Sequence, residues 1–203
     1  MTKTASRGRP PASSRDMLQE AAFELFLENS YAGTSIEQIT QRAGVSRNTF
    51  FNYFNAKSDV FWVDLDATIG QLAQALRDAP AQMPVMQAIQ DAILRLGAEF
   101  GPSQVPFALT QYALIGSVHE LQASALMRFT RQAKVLHEFV ARRLPGLNAT
   151  LARAVSYAAL GATVAAAQEW SAAGTSRGAL NDYLRTALAP VVDGFGATLE
   201  RPR

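Results

Sequence analysis

Apolar residues recur along this chain at intervals of three and four, and no stretch sustains the two-residue alternation of a half-buried strand. In "RDMLQEAAFELFLEN" Leu18, Ala21, Ala22, Leu25 and Phe26 share one helical face, and Glu20, Glu24 and Glu28 take the others. Ser14 stands where an N-cap belongs, and Asn29–Ser30 end the helix. A second helix is predicted over "TSIEQITQRAG", striped by Ile36, Ile39 and Ala43, with Thr34 and Glu37 at capping-box spacing. Gly44 is free to turn the chain sharply, and Ser46 can cap a third short helix from Arg47. A long helix over residues 57–78 carries Trp62, Leu65, Ile69, Leu72 and Leu76 in one seam. Further helical stretches cover about 84–100, 105–116, 118–143, 149–173 and 179–199, with Ser117 and Glu120 repeating the capping-box spacing. The fold predicted is all-α with about nine helices: an N-terminal three-helix helix-turn-helix domain and a C-terminal helical bundle.

The third helix is peculiar. On a helix of 3.6 residues per turn, Phe50 and Phe54 fall on one face, while Arg47, Asn48, Thr49, Phe51, Asn52 and Tyr53 spread over the rest. One face pins the helix to its neighbours; the other offers donors, acceptors and rings to something outside. A DNA major groove admits one helix and presents a distinct donor–acceptor pattern for each base pair. Arg47 can reach guanine O6 and N7, Asn48 or Asn52 can pair with adenine, and the Thr49 methyl can touch a thymine methyl. Tyr53, Thr34 and Lys57 are candidates for phosphates. The plainer alternative is a surface helix with incidental polar residues, against which the two outward rings count.

Charge sharpens this through its distribution. The net charge is only +2, but residues 1–15 hold Lys3, Arg7, Arg9 and Arg15 with no acid. The segment has no hydrophobic period and is broken at Pro10–Pro11, so residues 1–13 read as a flexible basic arm. A tail solvated in the free protein is compatible with an arm in which Arg7 and Arg9 meet phosphates or a narrow minor groove on DNA. Absence of cysteine excludes disulfides and thiolate chemistry and fits a cytoplasmic chain. The longest apolar run, residues 154–167, is too short to span a bilayer, so no membrane partner is expected. No H-E-x-x-H, Walker loop, G-x-S-x-G or dinucleotide fingerprint occurs, and His119 and His137 stand alone. The residues therefore point to no enzyme, no metal and no cofactor.

"TSIEQITQRAGVSRNTFFNYFNAKSDVF", with "AAFELF" and Tyr31 before it, resembles the DNA-binding domain of TetR-type bacterial regulators over residues 15 to about 61. That resemblance implies DNA contacts from Thr34, Ser46, Arg47, Asn48, Thr49, Phe51, Asn52, Tyr53 and Lys57, and a domain over residues 14–57. Asn29–Ser30 replaces the usual glycine after the first helix, and Ala56 stands where a capping hydroxyl is common. Residues 58–203 are then expected to bind an effector and dimerise, and the regulator is expected to be a homodimeric repressor that grips a palindromic operator until a small, largely apolar molecule releases it.

The apolar helix at 149–173 must be covered on more than one side; with the stripe at 179–199 it is the expected twofold interface. Between them and the seam, Trp62, Met86, Phe100, Phe107, Tyr112 and Met127 are the candidate lining of an adaptable apolar pocket. "HELQASALMRFTRQAKVLHEFVARR" is similar to regulators of the mycofactocin subgroup, which makes an acyl-CoA-like thioester a candidate effector. Arg128, Arg131, Lys134, Arg142 and Arg143 would meet its phosphates, unless they are only a solvated face. The rival of another class is a helical ligand-binding or adaptor protein that binds no DNA.

Overall fold

A computed structural model describes residues 13–199, which form twelve α-helices and, among the described residues, no strand. The chain divides into two compact units that meet at Phe61/Trp62.

The first unit holds α1 (Ser14–Asn29), α2 (Ile36–Arg42), α3 (Arg47–Tyr53) and α4 (Lys57–Phe61). Leu18, Ala22, Phe26, Tyr31, Ile39 and Phe50 are its buried interior. Each early helix starts on a hydroxyl, but one residue away from the predicted cap in two cases. Ser13, not Ser14, caps α1: its Oγ accepts from Asp16 N, and the Asp16 carboxylate accepts from Ser13 N, both at 3.2 Å. Ser35 and Gln38, not Thr34 and Glu37, form the capping box of α2. Thr34 is instead buried, its Oγ1 3.0 Å from Leu25 O and 2.9 Å from Ser30 O. The hydroxyl is thereby tied to the C-terminal turn of α1 and to its cap residue. Gly33 is required here, since a Cβ would stand 2.2 Å from Asn29 O. Gly44 takes the left-handed turn (φ 67°) between α2 and α3.

The second unit holds α5 (Val63–Ile69), α6 (Leu72–Arg77), α7 (Val85–Gly97), α8 (Phe107–Thr110), α9 (Tyr112–Ser117), α10 (His119–Arg143), α11 (Ala149–Ala172) and α12 (Leu180–Leu199). The helix expected over 57–78 is three pieces, because the backbone leaves the regular ladder at Trp62 (φ −102°, ψ 0°) and again at Gly70–Gln71. Gln111 (φ −109°, ψ 31°) likewise splits the stretch at 105–116. Side-chain periodicity continues through such breaks and so hides them. No side chain caps α10; Ser117 Oγ lies 3.1 Å from Ala113 O instead of opposite Glu120. The most extensive packing is α11 on α12, with α10 on α11 and α7 on α12. Ile89, Leu136, Phe139, Val155, Trp170, Leu184 and Leu188 are buried there. α7 and α12 approach closely at Gly97, where a Cβ would meet Leu184 Cδ1 at 2.4 Å and Asn181 Oδ1 at 2.5 Å.

At 24 residues α11 is long and apolar enough to cross a bilayer, longer than the run seen in sequence, but 33% of its most apolar window is buried inside the bundle. Tyr157 and Val164 are exposed along its α10 side, Tyr157 5.9 Å from the Phe129 ring and Val164 at the cavity.

Candidate nucleic-acid interface and effector cavity

Recognition by a short helix demands that the helix be held rigidly from behind, and α3 is. Ser46 Oγ accepts from Thr49 N at 3.1 Å, closing the N-terminus, and Phe54 N donates to Phe50 O at 2.9 Å, closing the other end. Phe50 (0% exposed) and Phe54 (4%) anchor it, 5.3 Å apart between ring centroids. On the opposite side Arg47, Asn48, Asn52, Phe51 and Tyr53 are exposed, and Thr49 is half-buried with Oγ1 2.9 Å from Ser46 Oγ. The Ser46 hydroxyl is thus occupied by capping, although the residue itself is exposed.

Arg47 does not wave freely. Its Nη1 pairs with Glu37 on α2, and its guanidinium lies 5.5 Å from the Phe51 centroid. Both charged side chains are 59% exposed, so the pair contributes little to stability. What it does is orient: the guanidinium is presented beside a carboxylate that can itself accept from cytosine N4. Glu37, expected from its spacing to close a capping box with Thr34, pairs instead with Arg47 at the start of α3.

Two expected phosphate ligands are placed elsewhere. Thr34 is buried as described. Lys57 Nζ donates to Tyr31 O at 2.7 Å and Thr34 O at 2.8 Å, and sits 4.1 Å from the Tyr31 ring centroid. The loop after α1 leaves carbonyls that an ammonium satisfies well, so Lys57 ties α4 to that loop and does not point outward. Asp59 makes good the missing hydroxyl at Ala56, its Oδ2 accepting from Asn55 N (2.9 Å) and Ala56 N (3.2 Å). Arg42 spans α2 to α1, with Nη1 3.0 Å from Glu24 Oε2 and Nη2 2.7 Å from Glu28 Oε2. The hydrogen bond from Arg42 holds the Glu28 carboxyl below the ordinary glutamate range and pushes the arginine further up. Arg7 and Arg9 lie outside the described residues.

The second unit has a cavity of about 340 Å³, open to solvent on one side, between α5, α8–α9, α10 and α11. Leu65, Ile69, Leu109, Phe129 and Leu160 are among its apolar walls. A smaller space of about 110 Å³, reaching Phe100 and Gly97, shares Leu65, Ile69 and Gln132 with it. Of the predicted lining, Trp62 and Tyr112 face the larger space and Phe100 the smaller. Met86 is buried in the core beside Arg143, Met127 is exposed on an open groove of α10, and Phe107 lines neither space. Gln132, Thr163 and Gln168 supply polar groups that sequence reasoning did not single out. Arg128 stands at the wall; its fork meets Asp66 at 2.8 Å (Nε–Oδ1) and 2.6 Å (Nη2–Oδ2). Among the described residues no three histidines or carboxylates converge as metal ligands do.

Comparison with known proteins fits this division. Residues 18–61 match the tetR family of bacterial regulatory proteins, and residues 83–196 match the MftR C-terminal domain. A Mycobacterium tuberculosis protein named as a mycofactocin biosynthesis transcriptional regulator, MftR, is 26% identical over 96% of this chain and 95% of its own. Among solved structures, Thermus thermophilus FadR, a TetR-family transcriptional repressor in complex with lauroyl-CoA, superposes with a TM-score of 0.60 at 21% identity, covering 93% of this chain and 97% of that one. The fatty acid degradation regulator FadR of Bacillus halodurans gives 0.63 at 18%, covering 92% and 98%. At such identities these two show the fold alone. The family matches extend over more than half of the chain, and it belongs to the tetR family of DNA-binding transcriptional regulators, with a ligand-binding C-terminal domain of the MftR type.

Proposed function

We propose that this regulator is a cytoplasmic homodimeric repressor that holds a palindromic operator through α3 and lets go when a small, largely apolar effector fills the cavity of about 340 Å³. The observation that carries the DNA half is α3 itself: capped, anchored by two buried rings, and offering Arg47, Asn48, Asn52, Phe51 and Tyr53 outward. In this reading residues 14–57 bind DNA, residues 58–203 bind the effector and dimerise, and Arg7 and Arg9 in the arm add phosphate or minor-groove contacts. The largely apolar length of α11 and its extensive packing along α12 support pairing of the two helices with their twofold mates.

A dimer must set two α3 helices on successive major grooves, about 34 Å apart. An effector releases DNA only to the extent that it binds the incompetent spacing more tightly. Operator and effector therefore couple negatively and reciprocally, by about 1–3 kcal/mol. An acyl-CoA-like thioester is one candidate, supported by the relative solved with lauroyl-CoA. The test is selection of bound sequences from a random duplex pool by the full chain, followed by operator titration with and without effector. Enrichment of an inverted repeat supports the reading, whereas failure to retain any duplex at low salt favours a helical adaptor. Ala125 lines the cavity, so Ala125→Trp should abolish the effector response while leaving operator binding in place.

A further inference from the structure

The cavity holds one fully charged side chain, and that side chain already carries the outline of a ligand. Arg128 has 17% of its side chain exposed, and three of its nitrogens are engaged. Nε and Nη2 grip the two oxygens of Asp66, and Nη1 reaches Ser124 O at 3.2 Å and Oγ at 2.5 Å. The guanidinium plane is steadied by the Trp62 ring, its carbon 5.0 Å from the centroid. The partner is held less deeply: the Asp66 side chain is 39% exposed and does not line the cavity, although Arg128 does. A half-wet carboxylate can return to water at small cost, whereas the arginine cannot, and an unpaired charge beside an apolar cavity is strongly unfavourable. The exchangeable member of the pair is therefore Asp66.

We propose that the effector is an apolar molecule ending in a carboxylate, and that this carboxylate replaces Asp66 on the Arg128 fork while the apolar body fills the cavity. This rests on the effector-cavity reading given above. A carboxylate reproduces the planar, two-oxygen acceptor that the guanidinium already accepts. A neutral ligand leaves the Arg128–Asp66 pair intact and gains nothing from it. Asp66 lies on α5, which begins immediately after the boundary between the two units in sequence, so its release is an event on the segment that leads to the DNA-binding unit.

The experiment is calorimetric titration of the full-length protein with matched pairs: decanoate and decanol, and naphthylacetate and naphthylethanol, with decanoyl-CoA as a further arm. Asp66→Asn removes the competing charge and keeps a hydrogen-bonding group of the same shape. It should strengthen the acid of the better-bound pair at least tenfold and leave its alcohol within twofold. Arg128→Gln should bring acid and alcohol to equal affinity, and Arg128→Lys, which keeps the charge without the fork, should weaken the acid alone. The last variant keeps the test decisive if Asp66→Asn does not fold. An acid-to-alcohol ratio that stays the same in every variant overturns this inference and leaves the cavity reading standing. Tighter binding of decanoyl-CoA than decanoate, indifferent to Asp66→Asn, also overturns it. Saturable binding by none of the five compounds overturns the cavity reading and this inference with it.

Discussion

The two units of this chain do their work in opposite geometries. In the first, every residue offered outward lies within a single short helix and its immediate neighbour, and the backbone that holds it is closed by local hydrogen bonds. In the second, the cavity is assembled from residues as far apart in sequence as Trp62 and Gln168, none of which means anything alone. A surface that reads another molecule can be written in seven consecutive positions. A space that encloses one must be written across a whole bundle.

Removing the anchor of the first geometry should produce the largest effect. Phe50 is fully buried against α1 and α2, so Phe50→Ala should destabilise that unit by about 3–5 kcal/mol. Because the chain divides at Phe61/Trp62, the expected melting curve has two transitions, the first moved down and the second in place. A single transition that shifts as a whole would show that the units unfold together, and the contrast drawn above would be one of function only.

The corresponding perturbation of the second geometry is overpacking. Gly97→Val drives its side chain into Leu184 and Asn181, which should destabilise by about 1–3 kcal/mol and shrink the smaller compartment. Effector affinity should fall together with stability, while selection of DNA sequences by the full chain stays the same. On the first unit, Arg47→Ala should lose about 1–3 kcal/mol of discrimination at one operator position without unfolding anything. Unchanged base preferences would show that Arg47 is held by Glu37 for some purpose other than readout. Tyr53→Phe should weaken all duplexes alike, as a phosphate contact does.

These differences also explain what could be read in advance. The all-α fold, the turn at Gly44, the cap at Ser46 and the inward pair Phe50/Phe54 follow from local spacing, and local spacing is what a sequence displays. Thr34 and Lys57 are engaged inside the unit for a non-local reason. Nothing near either residue shows that the fold brings it against the carbonyls of Leu25, Ser30 and Tyr31 at the end of α1 and the loop after it. The pocket was legible as a tendency, through methionines and aromatics beside glycine and proline breaks, but not as a list. Trp62 and Tyr112 reach the larger cavity, whereas Met86 and Met127 end in the core and on the surface. Which face of a helix meets a void depends on all its neighbours at once. The breaks at Trp62 and Gln111 were invisible because apolar periodicity runs across them.

Caps offer a finer comparison between neighbouring hydroxyls. Ser46→Ala removes the acceptor for Thr49 N and should weaken the first unit by about 1 kcal/mol, fraying the start of the reading helix. Ser35→Ala should cost about as much, since it opens the box with Gln38. Ser14→Ala should be neutral in the same melting experiment, because Ser13 and not Ser14 holds Asp16 N. Equal losses for Ser14→Ala would return the cap to the position that spacing alone suggests.

The smallest expected effect concerns the Arg42 bridge, where α1 and α2 are joined by charge as well as packing. The hydrogen bond from Arg42 lowers the Glu28 pKa in the folded state. A carboxyl depressed on folding contributes stability that is fully present above its unfolded value, near 4.5, and is lost as pH falls through the lower folded value. Between pH 7 and 5 the bridge should therefore make no pH-dependent difference, and below about 4.5 wild type should lose stability faster than Glu28→Gln. Both side chains are well exposed to solvent, so the divergence should be slight and should shrink further in high salt. Parallel acid-denaturation curves at low salt would mean that the bridge is geometry without consequence, and that packing alone, through Ile39 and Phe26, joins the two helices that hold α3 in place.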